Sequence, residues 1–144
     1  MTPAKTIPGS RKARDGGLRK VYRTYLPDFH WQSVETPLTG SGVPDSNYSY
    51  QGVEGWIENK SARGNHVAIR REQVAWLERR ARAGGRCFIG VRQGDTYWLL
   101  RPAAARQLLT IGLHKLPSAY VLGRWPGGPA RWDWPKIAAI LLSL

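Results

Sequence analysis

The segment from Asn47 to Ser61 leaves this chain few ways to fold. Asn47-Tyr48-Ser49-Tyr50 reads as a strand. Gln51-Gly52-Val53-Glu54-Gly55 turns the chain back, and Trp56-Ile57-Glu58-Asn59-Lys60-Ser61 supplies an antiparallel partner. Such a hairpin predicts a sheet, and the flanking sequence supplies what packs on it. A first helix is expected from Leu18 to about Phe29, ending near Pro27 and delivering Glu35. Apolar spacing predicts a second over residues 71–83, closed by Gly84-Gly85. Residues 87–92 and 96–100 read as strands joined by Gln93-Gly94-Asp95, and Pro102 opens a short helix to about Leu109. This αβββαβ-like order predicts a single α/β domain, a mixed β-sheet with flanking helices.

The same hairpin places reactive groups together. Residues i and i+2 share a strand face, so Glu58 and Lys60 project side by side while Ile57 and Asn59 face the other way. Asp45 lies in the turn Gly42-Val43-Pro44-Asp45 and can converge with Glu58 at one end of the hairpin. Hard divalent cations prefer carboxylate, carbonyl and water oxygens. Asp45, Glu58 and the Asn59 carbonyl suit Mg²⁺, with Lys60 adding positive charge where a phosphate would develop negative charge. A lone Glu-x-Lys is a weak motif that reads first as a solvated ion pair on an exposed strand face. The Pro-Asp turn, the upstream Glu35 and the apolar strand around it strengthen the reading. In the second helix Gln73 shares an arc with Val74, Leu77 and Ala81, so it faces the sheet. Its amide needs partners there, either sheet backbone or Lys60 and water bound at the acids.

Glu35, Val43-Pro44-Asp45, Glu58-Asn59-Lys60 and Arg70-Arg71-Glu72-Gln73-Val74-Ala75-Trp76-Leu77 resemble the PD-(D/E)xK nuclease superfamily, and within it phage-type Holliday-junction resolvases and VRR-NUC-like nucleases. The similarity covers roughly residues 17–100. It implies a restriction-endonuclease-like core with Asp45 and Glu58 as metal ligands and Lys60 on the scissile phosphate or attacking water. It further implies that Glu35 completes the acidic set, that Gln73 follows the core, and that Mg²⁺, or Mn²⁺ in its place, serves as cofactor. The expected activity is structure-selective cleavage of branched DNA by a homodimer. The alternatives are a restriction- or repair-type nuclease on linear DNA and a non-catalytic nucleic-acid-binding module.

Charge agrees with a polyanionic partner. Lys and Arg number 22 against 10 Asp and Glu, a net charge of +12. The first twenty residues carry six basic residues and one acid, so the rest of the chain is basic too. Residues 1–16 read as a flexible basic arm and 17–144 as one nuclease domain. Arg11, Lys12 and Arg14 in the arm, with Arg63, Arg70 and Arg71 beside the site, are the expected phosphate contacts. No segment is apolar enough to span a membrane and residues 1–20 lack a signal-peptide centre, so a cytoplasmic protein is expected. One cysteine and three scattered histidines argue against zinc, and Cys87 reads as a buried strand residue. The tail, Arg124-Trp125-Pro126-Gly127-Gly128-Pro129-Ala130-Arg131-Trp132-Asp133-Trp134, reads either as a lid on the core or as a surface for unpaired bases or dimer contact, followed by a helix over 135–142 capped by Asp133.

Overall fold

The hairpin forms the second and third strands of a six-stranded sheet. A computed structural model describes residues 14–35 and 42–143. In chain order the elements are α1 (Leu18–Tyr25), β1 (His30–Ser33), β2 (Ser46–Tyr50), β3 (Val53–Ser61), α2 (Arg71–Arg82), β4 (Cys87–Gln93), β5 (Thr96–Leu100), α3 (Ala104–Leu108), β6 (Val121–Trp125) and α4 (Trp134–Leu142). The strands lie side by side in sequence order. All neighbours are antiparallel except β3 and β4, which run parallel. That one parallel pair needs a long crossover, which α2 provides. The α/β class and mixed sheet expected from the sequence are therefore present.

Local chemistry explains the boundaries. Gln51 and Gly52 take φ of 51° and 80°, the left-handed pair of a two-residue hairpin turn whose twist suits the flanking strands. The chain thus reverses sooner than expected, and residues 53–55 already belong to β3. α1 stops at Tyr25 rather than near Phe29, because Pro27 disfavours helix in the residue before it. The strand β1 follows, so Glu35 is delivered by an edge strand and not by the helix. α4 starts one residue earlier than expected, with Asp133 accepting from the Lys136 amide at 3.1 Å.

Two apolar layers sandwich the sheet. Leu18 and Tyr22 of α1 and Ile137 and Leu141 of α4 pack on one face with Tyr48, Ile57, Phe88 and Tyr97. Val74 and Leu77 of α2 and Ala104, Ala105 and Leu108 of α3 pack on the other with Ile89, Val91 and Trp98. Trp132 and Trp134 are buried in the first layer, with their indole N–H groups donating to the carbonyls of Asp95 and Pro129. The tail therefore closes the core, as the lid reading expected. Those two rings have no free face for a nucleic-acid base. The tail also contributes β6, which the sequence reading did not place.

Candidate active site

Asp45 precedes β2, which begins at Ser46 opposite Ile57. Beyond that point β3 has no strand partner on this side, and the Asp45 side chain takes that place. Its Oδ1 accepts from the Asn59 main-chain N–H at 3.0 Å and from Asn59 Nδ2 at 2.9 Å. Asn59 Nδ2 also donates to Ser46 Oγ, while its Oδ1 accepts from the Tyr22 hydroxyl at 2.7 Å. Tyr22 is in turn 2.8 Å from the Tyr97 hydroxyl. A Cβ at position 90 would lie 2.5 Å from the Tyr22 hydroxyl oxygen and 3.0 Å from that of Tyr97. Gly90 thus leaves the room through which α1 holds Asn59, and Asn59 holds Asp45. The sequence reading gave Asn59 a carbonyl role only; its side chain orients the acid.

On the opposite face Glu58 and Lys60 lie beside each other, as alternation required. Lys60 Nζ is 3.5 Å from Glu58 Oε2. Gln73, at the third position of α2, joins them: its Nε2 donates to Glu58 Oε2 at 3.0 Å, and its Oε1 accepts from Lys60 Nζ at 3.0 Å and from the Arg70 N–H at 2.9 Å. Of the two roles open to Gln73, sheet backbone is not its partner. It ties the start of α2 to the Glu58–Lys60 pair. Glu58 is only 5% exposed, and its Oε1 is buried with no hydrogen-bond partner among the described residues. An orphan acceptor of this kind costs about 1–3 kcal/mol.

Electrostatics follow from that burial. Desolvation, reinforced by the charge of Asp45, pushes the Glu58 carboxyl up to about 8, against the pull of Lys60. Desolvation likewise raises Asp45 to about 6, although the Asn59 N–H and Arg19 oppose it. Burial lowers Lys60, with Glu58 working against the shift. Two carboxyls held away from water, with the charge of Asp45 felt at Glu58, resist ionisation.

Arg19 organises the other acids. Its Nε lies 3.0 Å from Asp15 Oδ2 and 3.8 Å from Asp45 Oδ2, and its Nη1 is 3.5 Å from Glu35 Oε2. Glu35 therefore reaches the site only through Arg19, and its side chain is 77% exposed. Asp15 was missed because it falls at the end of a stretch read as a flexible arm. It is 6% exposed and accepts from the Gly17 N–H at 2.9 Å. The signal available was an acid just before an apolar-periodic helix with an arginine four residues on. Among the expected phosphate contacts, Arg70 stands at the start of α2, close enough to act on Glu58 and Lys60, and Arg71 follows it, exposed. Arg63 is exposed in the turn after β3, and Arg14 is exposed before Asp15. Arg11 and Lys12 lie outside the described residues.

Among the described residues no three His, Cys, Asp or Glu side chains gather closely enough to hold an ion on their own. The donor set still suits a hard cation that keeps most of its water, which one or two carboxylates ordinarily hold. Glu58 Oε1 is unpartnered, Asp45 Oδ2 faces only Arg19, and both acids stand beside the Asn59 main chain. No helix among the described residues is long and apolar enough to cross a membrane. The chain matches no protein-family model, and no curated protein matches it at a significant level.

Proposed function

We propose that the chain is a Mg²⁺-dependent DNA endonuclease acting on branched substrates, of the Holliday-junction-resolvase kind. One observation carries this reading: the buried Glu58 carboxyl has an orphan oxygen, feels the charge of Asp45, and is tied through Gln73 to Lys60. A purely structural ion pair would satisfy its own acceptors. Asp45 and Glu58, with the Asn59 carbonyl, would hold the cation, and Asp15 or Glu35 would join only if Arg19 moved. A divalent ion there supplies Lewis-acid polarisation of the phosphodiester and a more acidic water. Asn59 fixes the Asp45 carboxylate, and Gln73 fixes the Lys60 ammonium toward Glu58. Lys60 then offers charge-assisted hydrogen bonds to a phosphate oxygen as negative charge builds. Arg70 and Arg71 supply phosphate contacts beside it. A junction needs two incisions, and a two-fold dimer would present two copies of the site. The competing reading is a non-catalytic DNA-binding module, favoured by Arg19, which already neutralises part of the acidic cluster.

Cation binding separates the two. Because both carboxyls are raised, binding at neutral pH must displace protons. Titration of the free protein with Mn²⁺, in two buffers of different ionisation enthalpy, is expected to give saturable binding with net proton release that shrinks above pH 8. Saturable binding should be lost in Asp45→Asn. Unchanged Mn²⁺ binding by that variant would place the ion elsewhere, and no binding by the wild-type protein with or without DNA would favour the non-catalytic module.

A further inference from the structure

The open half of the α2 face holds a second feature that the proposed chemistry leaves unused. Trp56 lies two residues before Glu58 on β3 and therefore on the same face, about 7 Å along the strand. Its ring meets that of Trp76 on α2 edge-on, with centroids 5.4 Å apart. The Arg80 guanidinium covers both rings, 4.5 Å from the Trp76 centroid and 5.8 Å from that of Trp56. Beside them is a cavity of about 360 Å³ lined by Trp76, Arg79, Arg80, Ala83 and Gly85. Gly85 leaves room there for the Arg80 side chain, because a Cβ would lie 2.3 Å from Arg80 Cδ. Arg79 and Arg80 are exposed, and neither has a carboxylate partner among the described residues; the one acid of α2 in an ion pair, Glu78, is taken by Arg106.

Arg92 over Trp132 and Arg124 over Trp98 are stacked in the same way, but here one guanidinium lies over two half-buried indoles. A guanidinium stacked on a ring marks a place where a flat, π-faced group is held well. The charge around it selects an anion, and the rings select bases, which a single strand exposes and a duplex hides in its own stack. The position fits the acids. Gln73 and Arg80 are seven residues apart on α2, about 10 Å along its axis. That spans about three stacked nucleotides at roughly 3.4 Å each. The half-buried Asn47 opposite Trp56 and the exposed Gln32 of β1 beyond it continue the same face outward.

We infer that the Trp56–Trp76–Arg80 patch is a docking site for an unpaired DNA strand, in which a base takes the place over Trp76 that the Arg80 guanidinium covers in the free protein, a few nucleotides from the phosphate held at Glu58 and Lys60. The inference depends on the nuclease reading only for where that phosphate lies. Among branched DNAs it favours those with a strand unpaired beside the cut.

Binding in EDTA tests the patch without requiring cleavage. Trp76→Leu keeps an apolar side chain against Trp56 but removes the π-face, and Trp76→Phe restores a ring. Affinity for an oligo(dT) strand is expected to fall at least fivefold in Trp76→Leu and to stay within twofold of wild type in Trp76→Phe, from the usual contribution of one stacked base. Affinity for a fully paired duplex should stay within twofold in both. Equal losses on strand and duplex, or no loss on the strand, would overturn the proposal. If Trp76→Leu fails to fold, the wild-type protein answers instead: photo-cross-linking to a bromouracil-substituted single strand should place adducts on Trp56 or Trp76, and adducts only elsewhere would refute it. Cutting of a four-way junction by the wild-type protein in Mg²⁺ reads the nuclease assignment separately.

Discussion

Glu58→Gln is expected to melt higher than the wild-type protein in EDTA, by a margin that grows from pH 5 to pH 8. In the unfolded chain Glu58 ionises near 4.5, whereas burial and the neighbouring Asp45 raise it to about 8 in the fold. Between those values the folded state binds the extra proton, so stability falls as pH rises, by up to about 1.4 kcal/mol per pH unit. Below the unfolded value both states are protonated and the penalty vanishes. Glutamine keeps an oxygen for the Gln73 N–H and carries no charge at any pH. It forgoes the ion pair with Lys60 and leaves its own amide beside the same orphan position, so only part of the penalty is recovered. A gain of about 5 °C at pH 8, shrinking toward zero at pH 5, is the expected result for a domain of this size. Asp45→Asn should gain less, because Arg19 already faces that carboxylate. Mn²⁺ should raise the wild-type melting temperature and leave Glu58→Gln nearly unmoved, since a ligand stabilises only the state that binds it. A variant that melts lower than wild type at every pH would make Glu58 a structural partner of Gln73 and Lys60 instead.

The second large effect is on turnover. Asp45→Asn, Glu58→Gln and Lys60→Ala are each expected to lower the rate of DNA cleavage about 100- to 1000-fold, the usual cost of removing one group that acts on developing charge. DNA affinity and its salt dependence should hardly change, because on the proposed function binding would rest on arginine contacts to phosphates. Gel-shift titrations at several salt concentrations, run beside single-turnover cleavage, separate the two quantities. Near wild-type turnover in any of the three would remove that residue from the site. Gln73→Ala should fall between wild type and these variants, since Gln73 acts through Lys60 and Glu58.

Much of this arrangement was legible in the residues because it depends on short-range rules. Strand alternation paired Glu58 with Lys60, helical periodicity turned Gln73 toward them, and the Pro-Asp turn brought Asp45 to the end of β2. The misses are long-range. Nothing local marks His30–Ser33 or Val121–Trp125 as strands, since an edge strand of four or five mixed residues is defined by the neighbour that pairs with it. Asp15 lay in a basic stretch, and the contact that holds its neighbourhood, Arg92 donating to the Gly16 carbonyl, spans 76 positions. The Tyr22–Asn59–Asp45 relay joins residues 37 and 14 positions apart, and its one sequence trace is Gly90, whose missing side chain gains meaning only once Tyr22 and Tyr97 are seen to meet there.

The most direct measurement is strand cleavage by the wild-type protein on three labelled DNAs, a four-way junction, a linear duplex and a single strand, in Mg²⁺ and in EDTA. The expected result is paired incisions at symmetric positions in opposite strands of the junction, in Mg²⁺ only, with much slower cutting of the perfect duplex. Tight binding of all three without cleavage in Mg²⁺ or Mn²⁺ would contradict a nuclease and leave a DNA-binding protein with a structural acidic cluster.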